Sequence, residues 1–291
     1  MQLGMIGLGK MGGNMKRRLL AAGHEVIGFD SVPALSDVGS VAELVNELAT
    51  PRIIWVMVPA GDPTAEIVRV LADHLQSGDV VVEGGNSRFS DDAANAELLA
   101  GHGIGYIDAG VSGGVWGLEN GYALMVGGEE SHIRQVQPIF DSLKPEGEHG
   151  FVHAGSVGAG HYAKMVHNGI EYGMMQAYAE GFELLESSEY IDNPAQVIKS
   201  WREGTVVRSW LLDLLDRALD DDPGLDKLRG YAQDSGEGRW TVDEAVRLGV
   251  PAHVMTAALY ARFSSRQDDA PAMKAIVALR KQFGGHQVED N

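Results

Sequence analysis

The stretch Gly7-Leu8-Gly9-Lys10-Met11-Gly12 decides the fold of the first half of the chain. Residues 2–6 before it read as a short buried strand, and residues 13–22 after it as a helix. A second strand is predicted at 25–29. It ends at Asp30, about 20 residues beyond the glycines, the separation expected of a dinucleotide fingerprint. Each glycine has its own physical task. Gly7 makes the tight turn, Gly9 lets the backbone approach a pyrophosphate, and Gly12 lets helix and strand pack closely. The helix N-terminus then faces the phosphates. Leu8, Lys10 and Met11 complete this cofactor turn. Asp30 would accept hydrogen bonds from the adenosine ribose hydroxyls, and its charge would repel a 2′-phosphate. NAD is therefore expected over NADP.

Working outward, residues 31–40 are short and irregular, with Pro33 and Gly39, and a helix fits 41–49. A third strand at 52–58 ends in Pro59-Ala60-Gly61. After a helix at 63–75, a fourth strand at 79–82 ends in Glu83-Gly84-Gly85-Asn86-Ser87. A helix at 90–102 and a fifth strand at 104–108 follow. Strands alternating with helical patterns argue for a parallel sheet with right-handed crossovers. Ligands sit at the carboxyl ends of such strands. Val58, Pro59, Ala60 and Asn86 are thus expected on the nicotinamide side. Val111-Ser112-Gly113-Gly114 reads equally as a tight turn or as a loop whose free N–H groups bind an oxygen anion. A strand at 123–126, a helix at 130–143 and a strand at 149–153 close this part near Gly155.

Beyond it only long helical segments are predicted: 156–187, 193–204, 206–218, 242–248, 251–262 and 270–282. A Gly-rich loop spans 234–241. The expected architecture is an α/β Rossmann-type dinucleotide-binding domain over 1–155, followed by an all-α substrate and oligomerisation domain over 156–291.

Composition narrows the function. Hydrophobic residues make up 44% of the 291, enough for a sizeable core. Net charge is −18, from 23 basic and 41 acidic residues, which disfavours nucleic acid or an anionic membrane as partner. An anionic small ligand would need local cations. Without cysteine, disulfides and thiolate metal sites are impossible. No signal peptide or membrane span is visible, and Gly7 leaves no room for a presequence, so a cytoplasmic protein is expected.

The second informative stretch is Lys164-Met-Val-His167-Asn168-Gly-Ile-Glu171-Tyr172. On a helix, positions 164, 167, 168, 171 and 172 share one face. That face carries an amine, an imidazole, an amide, a carboxylate and a phenol. Val166, Ile170 and Met174 lie on other sides and can pack. Gly169 and Gly173 leave a thin face for a close neighbour. Mostly apolar surroundings argue that the stripe is buried and functional rather than a solvated charge ladder. A nicotinamide cofactor implies hydride transfer, and oxidising an alcohol needs a base, a task open to Lys164. A second acid, Glu171, makes sense if a later carbanion or enol must be protonated at another carbon.

With those residues in hand, the chain resembles the decarboxylating 6-phosphogluconate dehydrogenases. The resemblance covers nearly the whole length. Besides 164–172 it includes 7–12, 58–61, 84–87, 111–114, 235–241, Tyr260-Ala-Arg262, and the tail stretch from Arg280 to His286. The length and Asp30 resemble the short, NAD-preferring bacterial branch. The resemblance implies oxidation and decarboxylation of 6-phosphogluconate to ribulose 5-phosphate and CO2, a step of the pentose phosphate pathway and gluconate utilisation, without a metal. It implies Lys164 as base and then as the cation that polarises the keto group, and Glu171 as the acid at C1. Asn86, Ser112, Gly113, Gly114, His167 and Asn168 would hold the sugar acid. Tyr172 and Arg262 would bind the phosphate. Arg280 and His286 would come from a neighbouring subunit, making a homodimer or homotetramer. Ser235 stands where the long enzymes of the family carry a phosphate-binding lysine, and Glu83 where the family often has Asp.

Two rivals share features of this reading. A 3-hydroxyisobutyrate-type dehydrogenase has the same fold and a base lysine on the same helix, but no need of Glu171 or phosphate-binding arginines. A non-catalytic nucleotide sensor would need neither Lys164 nor Glu171.

Overall fold

The structure is a computed structural model that describes residues 1–284. The chain divides into two compact units, Met1–His167 and Asn168–Asn291.

The first unit is built on seven strands: β1 (Gln2–Ile6), β2 (Glu25–Phe29), β3 (Ile53–Val56), β4 (Val80–Glu83), β5 (Gly105–Ser112), β6 (Ala123–Gly128) and β7 (Phe151–Gly155). They lie in the order β2-β1-β3-β4-β5-β6-β7. Every neighbouring pair is parallel except β5 with β6. One neighbouring pair of this otherwise parallel sheet therefore runs antiparallel. Only ten residues separate Ser112 from Ala123. A parallel crossover needs about a dozen residues or more, so the chain doubles back instead. Pairing with β6 also carries β5 four residues past its predicted end.

Helices cover both faces of the sheet, as a buried parallel sheet requires. They are α1 (Lys10–Ala21), α2 (Val41–Asn46), α3 (Asp62–His74), α4 (Asp92–Ala100), the short α5 (Gly117–Asn120) and α6 (Glu130–Leu143). Alternate strand residues feed two cores. Leu3, Met5, Trp55, Val80 and Val82 pack with Met15 and Leu19 of α1 and Ile139 and Phe140 of α6. Ile6, Ile54, Val56 and Val81 pack with Leu44, Val68, Leu71 and Leu99 of α2, α3 and α4.

The abbreviated segment after Asp30 has a clear role. It forms a single 3-10 turn, Pro33–Leu35, and then returns to the edge strand. Asp37 takes the N–H of Gly28 on its carboxylate at 2.7 Å and donates its own N–H to the Gly28 carbonyl at 2.9 Å. Asp37 also pairs with Lys16. The segment thereby occupies backbone groups that an edge strand otherwise leaves open.

The second unit is all helical. α7 (Ala159–Glu186) begins in the first unit and continues into the second. It is followed by α8 (Pro194–Ser200), α9 (Trp210–Asp221), α10 (Glu237–Leu248), α11 (His253–Ser264) and α12 (Pro271–Gly284). Tyr172, Ala258 and Leu259 form one small core, and Ile198, Leu212 and Leu219 another. Two sequence expectations are corrected here. The Gly-rich loop ends at Gly236, and Arg239, Trp240 and Thr241 lie in the first turns of α10. Ile170 and Met174 are exposed rather than packed. The thin face is real: a Cβ on Gly169 would come within 2.6 Å of Thr241, and one on Gly173 within 3.0 Å of Val254.

No helix among the described residues is long and apolar enough to cross a membrane.

Candidate active site

In the first unit, the three glycines of the fingerprint differ in what constrains them. Gly7 has φ +90°, and a Cβ there would meet the Met57 carbonyl oxygen at 2.5 Å. A Cβ on Gly12 would fall onto the Gly7 carbonyl oxygen. These two are glycines because the protein's own backbone crowds them. At Gly9 a Cβ would meet nothing within 4 Å. Gly9 caps the N-terminus of α1 without a side-chain partner, so its open side is room kept for something outside the chain. A cavity of about 490 Å³ opens there, lined by Leu8, Gly9, Lys10, Arg17 and Leu35. Unpaired helix N–H groups and two cations suit a pyrophosphate. Met11 sits half-buried in the first turn of α1 and packs on the core.

Asp30 is fixed against the turn by backbone hydrogen bonds. Its carboxylate accepts the Leu8 N–H at 2.6 Å and the Val32 N–H at 2.8 Å, and its own N–H donates to Ser36 Oγ at 3.1 Å. Each carboxylate oxygen retains a lone pair for a ribose hydroxyl. Lys16, which lines the same cavity, is already paired with Asp37. The residues present therefore fit NAD.

The residues expected on the nicotinamide side stand just past the carboxyl ends of β3 and β4. Val58 is half-buried, and Pro59 and Ala60 are exposed. Thr64 of α3 donates to the Pro59 carbonyl at 2.9 Å and holds this turn in place. Asn86 is exposed in the loop after β4.

Past the end of β5, Gly113 and Gly114 both adopt positive φ, +135° and +51°. A Cβ on Gly114 would meet nothing within 4 Å. Ser112 Oγ lies 3.4 Å from His167 Nε2, which brings together two residues that are 55 apart in sequence.

Lys164 is held by its neighbours' small size. It is only 8% exposed. A Cβ on Gly110 of β5 would collide with the Cβ of Lys164 and would lie 2.8 Å from the Gly160 carbonyl. A Cβ on Gly160 would lie 2.6 Å from the Asp108 carbonyl oxygen. Helix and strand are thus in backbone contact at the root of the amine. Asp108 secures the helix start further. Its carboxylate accepts the N–H of Gly158 at 2.7 Å and of His161 at 2.9 Å, a favourable place for a carboxylate at a helix N-terminus. Burial pushes the Asp108 carboxyl above its ordinary range, and nearby Asp92 adds to the rise.

α7 is continuous from Ala159 to Glu186, so Lys164 and Glu171, seven residues apart, project from the same side of it. The face is buried unevenly. Lys164 and Tyr172 are buried, Asn168 and Glu171 half-buried and His167 exposed.

In the second unit, Tyr172 meets the Gly-rich loop. Its hydroxyl accepts the Ser235 N–H at 3.1 Å and lies 3.5 Å from Ser235 Oγ. The Arg262 guanidinium stacks 3.6 Å from the Tyr172 ring centre and donates to the Gln233 carbonyl at 2.8 Å. Asp234, to which the sequence assigned no role beyond opening the loop, braces it. Arg239 grips its carboxylate at 2.8 and 3.0 Å and Arg266 at 3.0 Å. The hydrogen bond from Arg239, ahead of that from Arg266, holds the Asp234 carboxyl down at about 2. Arg239 and Arg266 share this one carboxylate, while Arg262 bonds the backbone one residue before it. Arg280 is exposed on α12, and His286 lies outside the described residues.

Two family models match the chain. One, described as the NAD binding domain of 6-phosphogluconate dehydrogenase, spans residues 2–155. The other, the 6-phosphogluconate dehydrogenase C-terminal domain, spans 160–290. The chain belongs to the 6-phosphogluconate dehydrogenase family. A relative from Haloferax volcanii, named an NAD(+)-dependent, decarboxylating 6-phosphogluconate dehydrogenase, is 43% identical over 99% of this chain and 98% of its own. The solved Plasmodium falciparum 6-phosphogluconate dehydrogenase superposes with a TM-score of 0.85 at 26% identity. It covers all of this chain, which spans 66% of its length. A Mycobacterium tuberculosis 3-hydroxyisobutyrate dehydrogenase is similar in fold, with a TM-score of 0.71 at 24% identity over 96% of this chain and 99% of its own. Within the family, this chain is of the short kind.

Proposed function

We propose that the protein oxidises and decarboxylates 6-phosphogluconate to ribulose 5-phosphate and CO2, with NAD as hydride acceptor. The observation that carries this reading is one continuous helix that holds a buried amine, Lys164, and a carboxylate, Glu171, on the same side. Bound NAD supplies the hydride-accepting chemistry at its nicotinamide. Lys164 takes the proton of the substrate 3-hydroxyl. As an ammonium it then polarises the 3-keto oxygen while the bond from C2 to the carboxylate breaks and CO2 departs. Glu171 delivers a proton to C1 of the resulting enediol, which yields ribulose 5-phosphate. Asn86, Ser112, Gly113, Gly114, His167 and Asn168 hold the sugar acid.

Tyr172 and Arg262 bind the phosphate. Stacking on Tyr172 orients the Arg262 guanidinium, and a planar guanidinium suits a phosphate. That pair favours a phosphorylated substrate over the small hydroxy acid of a 3-hydroxyisobutyrate-type enzyme, a distinction that the shared fold does not make. Asp30 supports NAD over NADP, since a 2′-phosphate would meet a carboxylate. We read the second unit as the assembly domain of at least a dimer, with Arg280 and His286 acting in a neighbouring subunit. Ile170, Met174, Val254, Met273 and Ile276 leave apolar surface there for a second copy to cover.

The test compares kcat/KM for 6-phosphogluconate and for 3-hydroxyisobutyrate, each with NAD and with NADP. The reading expects turnover of the phosphorylated acid with NAD preferred. Faster turnover of the non-phosphorylated acid would support the rival dehydrogenase. NAD binding without turnover of either acid would support a nucleotide-sensing role instead.

A further inference from the structure

The most buried polar group of the first unit lies outside the mechanism just described. His161, Glu83, Asp92 and Asp108 are all essentially inaccessible, and Tyr106 joins them. They come from four elements. His161 stands in the first turn of α7 and is faced by Glu83 from the end of β4, Asp92 from the start of α4, and Asp108 and Tyr106 from β5. His161 Nδ1 lies 2.8 and 3.0 Å from the two Asp92 oxygens, and Nε2 lies 3.6 Å from Glu83 Oε2. Tyr106 donates its hydroxyl proton to Asp92 at 2.8 Å, and Glu83 accepts the Gly85 N–H at 2.8 Å. The two ring nitrogens face different carboxylates across the imidazole. That arrangement suits an imidazolium, which donates from Nδ1 to Asp92 and faces Glu83 at ion-pair distance from Nε2.

We propose that His161 is a positioning residue for the reaction. As an imidazolium between Asp92 and Glu83, it ties the first turn of α7, three residues before Lys164, to the loop 84–87 that carries Asn86. Glu83 is the link, because one oxygen faces His161 at ion-pair distance and the other accepts the Gly85 N–H of that loop. The inference rests on the reading of Lys164 as the base. Protonation costs little here despite burial: Asp92, then Glu83 and Asp108, overcome desolvation and raise the His161 pKa to about 9. Burial raises Glu83 as well. A neutral ring would lose its charge attraction to Glu83, and the tie would slacken.

The sign follows. His161 is charged below its pKa, so the positioning is present at neutral pH and is lost as pH rises through about 9. Asp92→Asn removes the strongest contact that raises it and should bring this loss into the assay range. In that variant kcat with 6-phosphogluconate and NAD is expected to stay within about threefold of the parent near pH 6.5. It should fall about tenfold or more by pH 8.5, where the parent shows no such limb, as loosening of a reacting geometry predicts. The melting temperature near pH 6.5 should stay close to that of the parent. In parallel, 15N spectra of the parent's histidine side chains, with His161 assigned by its absence in His161→Gln, should show a doubly protonated ring at pH 7.5.

A folded Asp92→Asn enzyme whose kcat tracks the parent at every pH would overturn the proposal, and so would a neutral His161 ring at pH 7.5 in the parent. If Asp92→Asn does not fold, the parent spectrum alone decides. Parent protein that is inactive on 6-phosphogluconate would count against the activity reading and leave the protonation test standing.

Discussion

Replacing Gly110 with alanine puts one methyl group between β5 and the root of Lys164. The new Cβ would collide with the Lys164 Cβ and stand 2.8 Å from the Gly160 carbonyl oxygen and 3.1 Å from Lys164 Cγ. Ordinary contact begins at about 3.5 Å, so strand and helix must separate by about 0.7 Å or more. Neither side can yield by rotating a flexible tip, because the obstacles are a backbone carbonyl and the first carbons of the side chain. Asp108 also pins the helix start through Gly158 and His161. Displacement of a reacting group by about 1 Å costs roughly a hundredfold in rate, and a fall in kcat of about 30- to 100-fold is expected for Gly110→Ala. The cofactor turn lies on β1 and α1, so the dissociation constant for NAD, followed by fluorescence titration, should change little. Circular dichroism checks folding. A folded Gly110→Ala enzyme with kcat within a factor of three of the parent would refute the claim that backbone contact sets the amine's position.

Asp30→Ala should raise KM for NAD by about 10- to 100-fold, the loss of charged hydrogen bonds to the ribose, and narrow the preference over NADP. Unchanged kcat/KM for both cofactors would remove Asp30 from the site. Glu171→Gln should lower turnover to ribulose 5-phosphate by about a hundredfold or more, as expected for a lost general acid; a fully active variant would exclude that role. Arg262→Ala should raise KM for 6-phosphogluconate by about 10- to 100-fold with little change in KM for NAD, measured by steady-state kinetics. Equal effects on both constants would point to collapse of the loop that Arg262 braces through Gln233.

What could be read in the sequence was local. Gly7 and Gly12 are crowded by backbone close to them in the fold, and that demand survives in any context. Val80-Val81-Val82 reads as a strand buried on both faces, and it feeds both cores. The course of the chain after Ser112 was harder, because strand direction there depends on how many residues remain for a crossover. Gly236-Glu237-Gly238 looked like loop, yet Gly238 is inside α10. A side chain there would strike the ring of Tyr172, within 2.5 Å of Cε2, so its glycine serves helix packing rather than a turn. The brace of Asp234 by Arg239 and Arg266 joins α10 to the turn after α11 and was equally hidden. The His161 group assembles residues 83, 92, 108 and 161, and nothing in their spacing announces it. One signal was available: an ionisable side chain directly after Gly158, Ala159 and Gly160, about one helical turn before Lys164.

The central claim is that one helix starts the reaction with an amine and completes it with a carboxylate, taking a phosphorylated acid through decarboxylation. The most direct measurement follows NADH absorbance and CO2 release together from 6-phosphogluconate labelled with 13C at C1. The account predicts one CO2, carrying the label, for every NADH formed, and loss of both with Lys164→Ala. NADH formed without labelled CO2, or equal yields from the Lys164→Ala enzyme, would contradict it.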